Sequence, residues 1–138
     1  MIFIDTGAFL ARYIERDQFH AVARTHWEVL RSSSRRCFTS SFVLDETITL
    51  LGRRAGYGFA AERARAIFAS DALTILRPLG GDETAALDLF EKYADQGVSF
   101  TDCISFVLMS GHQIHAAFTF DRHFRLAGFG VEPGIESQ

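Results

Sequence analysis

Residues 2–7 of the chain, Ile-Phe-Ile-Asp-Thr-Gly, decide its fold. Three large apolar residues in succession, ended by Asp-Thr-Gly, are typical of a short buried strand that turns directly into a helix. We predict a strand over residues 2–4 and a helix that Thr6 caps and that continues to about Glu15. The carboxyl group of Asp5 is therefore expected at the C-terminal tip of the first strand.

The same order of short apolar strand and helix repeats along the chain. Further strands are predicted over residues 37–39, 72–76, 116–120 and, as an edge strand, 130–132. Helices are predicted over about 18–30, 41–56, 58–69, 82–94, 100–111 and 121–126. Parallel strands need crossover connections, which are usually helices. The order therefore predicts an α/β fold, a single domain over residues 1–138 with a parallel four- or five-stranded sheet flanked by helices.

The composition favours one globular domain. The 138 residues are 48% hydrophobic and 22% charged, which excludes a disordered chain. The formal net charge is −3, so the field of the whole protein does not attract nucleic acid. All but one of the 14 basic residues are arginine, so contact with nucleic acid would depend on a local arginine patch. The candidate pairs are Arg35 with Arg36, Arg53 with Arg54, Arg63 with Arg65, and Arg122 with Arg125.

Cysteine usage and hydropathy indicate the compartment. Cys37 and Cys103 show no metal-ligand spacing and have apolar or small neighbours, so both are expected to be buried thiols. The N-terminal residues lack the positive charge and long apolar core of a secretion signal, and no run of about 18 apolar residues occurs. A cytoplasmic protein without a membrane partner is the expectation.

Four acidic residues are candidates for a functional site. Asp5 and Asp121 each follow a predicted strand directly, and Asp102 begins a predicted helix. In open parallel sheets, ligands bind outside the C-terminal ends of the strands, and the helices begin at that same edge. Glu46 lies about one turn into its helix. We therefore expect the four carboxylates to converge at one edge of the sheet.

Carboxylates held close together repel one another and raise each other's pKa unless a cation lies between them. Hard oxygen ligands without a His or Cys cluster favour Mg²⁺ or Mn²⁺ over zinc. Helix capping alone would also explain Asp5 or Asp121, and the helix dipole alone would explain Asp102. Glu46 is harder to explain structurally, because its helix face also carries Phe42 and Leu50.

These residues resemble the PIN-domain ribonucleases, and among them the VapC-type toxins of bacterial toxin–antitoxin pairs. The resemblance spans nearly the whole chain and would make residues 1–138 one PIN-like domain. Its motifs are Ile4-Asp5-Thr6, the helix with Glu46, Ser99-Phe100-Thr101-Asp102-Cys103 running on to Met109, and Thr119-Phe120-Asp121-Arg122-His123-Phe124.

The resemblance implies an endoribonuclease that depends on Mg²⁺ or Mn²⁺, with water attacking in line to leave 5′-phosphate and 3′-hydroxyl ends. It implies that Asp5 and Asp102 bind the metal and that Glu46 and Asp121 complete the acidic set. Thr6 and Thr119 would orient ligands or water. The implied partners are an RNA substrate, a cognate antitoxin of a type II (VapBC) pair and a second copy of the chain.

Two other functions stay open: a PIN-domain RNA-processing nuclease that works without an antitoxin, and a catalytically inactive PIN-like binding module. A phosphatase on a related scaffold is disfavoured, because Asp5-Thr6-Gly7 lacks the second aspartate of aspartyl-phosphate enzymes. His112 and His115 are set aside as ligands, and proton transfer by His123 has no support in the sequence.

Overall fold

The fold centres on a sheet of five parallel strands, in the order β3-β2-β1-β4-β5. The computed structural model describes residues 1–135. The strands are β1 (Ile2–Ile4), β2 (Cys37–Ser40), β3 (Leu73–Leu76), β4 (Ala116–Phe118) and β5 (Gly130–Glu132). The predicted parallel α/β sheet is confirmed, with β5 as the fifth strand at one edge.

Helices connect the strands. They are α1 (Thr6–Tyr13), α2 (His20–Arg31), α3 (Ser41–Ala55), α4 (Tyr57–Ala69), α5 (Gly80–Lys92), α6 (Phe100–Gly111) and α7 (His123–Leu126). A short 3-10 turn, Ala94–Gln96, precedes α6. Within residues 1–135, no helix combines the length and hydropathy needed to span a membrane.

Several predicted boundaries are wrong by one or two residues, including the start of α1, the end of β4 and the start of α7. The cap of α1 is Asp5 in extended conformation, and Thr6 is already the first helical residue. β4 ends at Phe118 and α7 begins at His123, because polar side chains hold the intervening backbone in a turn. The hydroxyl of Thr119 accepts a hydrogen bond from the Asp121 amide at 3.0 Å, and this local bond competes with the sheet ladder.

The core lies on both faces of β1, whose three residues have no exposed surface. Most of the phenylalanines pack into this core, whereas Phe59, Phe68 and Phe90 are exposed. Phe118 on β4 is fully buried, and its ring contacts Trp27 of α2 at a centroid separation of 5.3 Å. Aromatic packing therefore fixes α2 against the centre of the sheet.

The prediction of a buried thiol is confirmed for Cys103 and is wrong for Cys37. Cys103 of α6 is buried, whereas Cys37 is half-buried. Cys37 is the first residue of β2 and lines an open cavity at the N-terminal end of the strand, which explains its exposure.

Truncation of the central ring tests this account of the core. Phe118→Ala is expected to lower the free energy of unfolding by about 3–5 kcal/mol, since it removes a fully buried aromatic side chain. Phe68→Ala, at a ring that is 51% exposed, is the matched control and should cost less than about 1 kcal/mol. Urea unfolding of both variants measures the difference; equal losses would contradict the assignment of Phe118 to the core.

Candidate active site

The parallel pairing of β1 with β4 brings two of the predicted acids to one edge of the sheet. Ile4 pairs with Phe118, so the residues that follow each strand emerge side by side. Asp5 follows β1 directly, and Asp121 lies in the turn after β4. The other two acids come from helices that begin at the same edge.

Asp102 lies in the first turn of α6, where Ser99 caps the helix by accepting a hydrogen bond from the Asp102 amide at 3.1 Å. Glu46 lies in α3, which begins directly after β2. All four predicted acids line one cavity of about 360 Å³. The lining residues are Asp5, Thr6, Gly7, Glu46, Gly97, Ser99, Asp102, Phe120, Asp121 and His123.

A chain of hydrogen bonds holds the carboxylate of Asp5. The hydroxyl of Thr119 donates to Asp5 Oδ2 at 2.7 Å and accepts from the amide of Asp121 at 3.0 Å. One threonine therefore ties the two strand ends together and orients one carboxylate. The hydroxyl of Thr6 is also buried in this region, and it has no hydrogen-bond partner within residues 1–135.

The surroundings of Asp5 and Asp102 disfavour ionisation of these two acids. Asp5 is 5% exposed, and burial raises its pKa to about 7, although the hydrogen bond from Thr119 acts in the opposite direction. Burial, followed by the charges of Asp5 and Asp121, raises the pKa of Asp102 to about 9. A side-chain hydrogen bond with Asp121 adds to that rise. The charged forms of these buried acids therefore need a neighbouring cation.

His123 also belongs to this cluster, although no role was predicted for it from the sequence. Its Nδ1 lies 3.1 Å from Asp121 Oδ1 and 3.8 Å from Asp102 Oδ2. Its Nε2 lies 3.1 Å from the carbonyl oxygen of Gln96. Its position two residues after Asp121 was the one sequence signal that it could belong to the site. Its contact with Gln96 could not be found from sequence spacing.

The donor atoms suit a divalent cation. One ligand atom from each of Asp102, Asp121 and His123 lies within 4.8 Å of the other two. Carboxylate oxygens are the ligands that Mg²⁺ and Mn²⁺ prefer, and a bound cation would favour the charged forms of Asp5 and Asp102, which burial disfavours. The residues present therefore fit the predicted metal.

The arginine pairs do not gather at the acids. Arg35, Arg36 and Arg63 line a separate cavity of about 1240 Å³ between α2 and α4, near the N-terminal ends of β2 and β3. Arg35 is engaged there in a two-bond ion pair with Glu132, with N···O distances of 2.7 and 2.9 Å. Arg122 is exposed and lies in sequence between Asp121 and His123, which both line the acidic cavity. Among the predicted arginines, it is therefore adjacent in sequence to the cavity.

Comparison with known proteins agrees with this geometry. Residues 2–130 match the family model of the PIN domain, and the chain belongs to the PIN-domain family, whose members are metal-dependent nucleases. The chain is 35% identical over 129 residues to the 23S rRNA-specific endonuclease VapC20 of Mycobacterium tuberculosis, an alignment that covers 94% of this chain and 95% of the relative.

Solved structures show the same fold. The crystal structure of M. tuberculosis VapC20, a toxin that cleaves the sarcin–ricin loop, superposes with a TM-score of 0.85 at 33% identity, covering 94% of this chain and 96% of that one. A toxin–antitoxin complex from Klebsiella pneumoniae superposes with a TM-score of 0.65 at 14% identity, covering 99% and 100% of the two chains. The resemblance to PIN-domain ribonucleases of the VapC type is confirmed.

The raised pKa values predict a stability that falls with pH when metal is removed. A carboxyl whose pKa is higher in the folded state stabilises the fold below its ordinary pKa near 3.8, and this contribution is lost as pH rises through about 7 for Asp5 and about 9 for Asp102. In EDTA, the Tm is expected to fall by about 5 °C or more between pH 6 and pH 9.5.

Asp102→Asn should reduce that fall, because the amide carries no charge to bury and only the contribution of Asp5 remains. Asp45→Asn, at an exposed carboxylate on α3, should leave it unchanged. Added Mn²⁺ or Mg²⁺ should restore the Tm of the parent protein at high pH. Differential scanning fluorimetry of the three proteins measures these slopes, and parallel curves for the parent and Asp102→Asn would contradict the prediction.

Proposed function

We propose that this chain is a Mg²⁺- or Mn²⁺-dependent endoribonuclease that cuts ribosomal RNA and acts as the toxin of a VapBC toxin–antitoxin pair. The observation that carries the proposal is the convergence of four carboxylates from β1, α3, α6 and the turn after β4 on one cavity of about 360 Å³. That cavity occurs in a chain that matches the PIN-domain model over residues 2–130.

The four acidic residues have two proposed roles. Asp5 and Asp102 bind the divalent ion directly, and Glu46 and Asp121 complete the acidic set by contacting the ion directly or through water. Thr119 keeps Asp5 oriented through its 2.7 Å hydrogen bond, and the unpartnered hydroxyl of Thr6 is available to a ligand or water. A divalent ion held by these acids would supply activation of water and neutralisation of the charge that develops on the phosphodiester.

The acidic residues would also release protons when the ion binds and would hold the reacting groups in place. Asp5 and Asp102 must lose their protons before they can bind a cation, so metal affinity should rise with pH. Water adds to phosphorus in line with the P–O3′ bond, which breaks and leaves a 5′-phosphate and a 3′-hydroxyl. The fixed carboxylates keep the reacting groups in place, which contributes to rate by orientation.

The substrate is proposed from the relative. The curated relative is named as specific for 23S rRNA, and its crystal structure is described as that of a toxin cleaving the sarcin–ricin loop. Identity of 35% over 94% of this chain supports the same class of RNA here. The exposed Arg122 is the first candidate for contact with the RNA backbone. A ribosomal substrate would place the activity in the cytoplasm.

The protein partners are proposed on the same basis, since the relative is a toxin. A cognate antitoxin or a second copy of the chain needs apolar surface to bind. Leu87 and Phe90, three residues apart on α5, are 52% and 45% exposed and offer such a surface. We include both a cognate antitoxin and a homodimer in the proposal.

Cleavage of defined RNA tests the catalytic part. The purified protein with Mn²⁺ or Mg²⁺ should cut a 23S rRNA fragment containing the sarcin–ricin loop, leaving 5′-phosphate ends, and EDTA should abolish cutting. Glu46→Gln should slow cleavage by about 10- to 100-fold, the loss typical of removing a group that supports a metal site.

Asp45→Asn is the matched control, because it removes the neighbouring, exposed carboxylate from the same helix. It should cut within about two-fold of the parent, the size of an uncoupled surface change. Unimpaired cleavage by Glu46→Gln would place the active site elsewhere. Cleavage of other RNA but not of the 23S fragment would overturn the proposed substrate alone.

Growth on induction tests the toxin part. Expression of the chain in a bacterial host should arrest growth, and Asp5→Asn should relieve the arrest because it removes a metal-binding carboxylate. Co-expression of a cognate antitoxin, which the proposal expects to be encoded by a short neighbouring gene, should also restore growth and yield a complex on size-exclusion chromatography. A protein that cuts RNA in vitro but never arrests growth would favour the antitoxin-independent processing nuclease.

A further inference from the structure

The imidazole of His123 is held in one orientation by a backbone carbonyl. Nε2 lies 3.1 Å from the oxygen of Gln96, and a carbonyl oxygen can only accept a hydrogen bond, so Nε2 must carry a proton. Gln96 ends a 3-10 turn that Gly97 terminates in a left-handed conformation, with φ of 66° and ψ of 30°. The turn before α6 therefore fixes the ring.

The other ring nitrogen faces the acids. With Nε2 protonated, a neutral ring leaves a lone pair on Nδ1, which lies 3.1 Å from Asp121 Oδ1 and 3.8 Å from Asp102 Oδ2. Nδ1 is buried and has no hydrogen-bond partner within the described part of the chain. A lone pair directed at two carboxylates is unfavourable unless a cation lies between them.

A charged imidazole paired with Asp121 explains the contact less well. Asp121 Oδ1 already accepts a hydrogen bond from the backbone amide of His123 at 2.8 Å. Nδ1 lies 3.1 Å from the same oxygen but forms no hydrogen bond with it, so this ring nitrogen has no partner among the described residues.

The spacing and support are those of a metal ligand. Ligand atoms about 2.1 Å from one ion lie about 3 Å apart when adjacent and about 4 Å apart when opposite. The separations of 3.1 and 3.8 Å from Nδ1 fall in that range. A metal-binding histidine usually donates its second ring N–H to a carboxylate or backbone carbonyl, which is the arrangement at Gln96.

We propose that His123 supplies Nδ1 as a nitrogen ligand to the divalent ion bound by Asp102 and Asp121, and that this ligand makes the site prefer Mn²⁺ to Mg²⁺. The inference rests on the proposed function, since it takes the acidic cavity to be the metal site. Mg²⁺ binds almost entirely through oxygen, whereas transition ions accept imidazole readily. A mixed nitrogen and oxygen donor set therefore discriminates between the two ions.

Electron spin-echo spectroscopy of the Mn²⁺-loaded full chain tests the ligand directly. The echo modulation should show a directly bound ¹⁴N nucleus, replaced by a ¹⁵N pattern when the protein is made with [¹⁵N]histidine. His123→Phe, which keeps a flat ring without a lone pair, should lose the nitrogen signal. The exposed His112→Gln serves as the matched control and should keep it.

Isothermal titration tests the preference. The parent protein should bind Mn²⁺ at least about 10-fold more tightly than Mg²⁺, and His123→Phe should weaken Mn²⁺ binding about 10-fold or more while changing Mg²⁺ binding less. A Mn²⁺-loaded parent that cuts RNA but shows no nitrogen coupling would overturn the role of His123 and leave the proposed function intact. A folded parent that binds neither ion and cuts no RNA would overturn both.

If His123→Phe fails to fold, the echo modulation of the labelled parent protein still tests for a histidine ligand, because isotope labelling needs no substitution. Equal affinity of the parent for the two ions would overturn the proposed preference.

Discussion

The site depends on the parallel pairing of β1 with β4. Their register, Ile4 opposite Phe118, brings the ends of two strands more than a hundred residues apart in sequence to the same point. The amide of Asp5 then donates to the carbonyl of Phe118 at 3.0 Å, and Thr119 reaches the carboxylate of Asp5. Without that pairing, neither Asp121 nor His123 would lie near Asp5, and no cavity lined by acids would form.

The same arrangement lowers the stability of the metal-free protein. Two buried carboxyls with pKa values raised to about 7 and 9 destabilise the metal-free protein once they ionise. The aromatic core around Phe118 offsets that cost by a mechanism that does not depend on pH. Stability resides in the packed sheet, whereas the site is left short of positive charge, which is the condition under which a divalent ion binds well.

Fold and function are separable in this family. The complex from K. pneumoniae shares the fold at 14% identity, so its likeness indicates architecture alone. What points to RNA cleavage is the acidic cavity together with identity of 35% to an endonuclease across almost the whole chain. The larger arginine-lined cavity lies near the opposite ends of β2 and β3 and is no part of that argument.

The strands, the crossover helices and the convergence of the four acids could be predicted from the sequence, because apolar runs and strand-end carboxylates are local patterns. The prediction failed at the end of β4, where the Thr119 hydroxyl bonds the Asp121 amide and ends the ladder early. The depth at which Asp102 is buried and the orientation of the His123 ring could be found only from the three-dimensional fold. Burial and orientation arise from contacts between distant segments, such as that of His123 with Gln96, which no local pattern specifies.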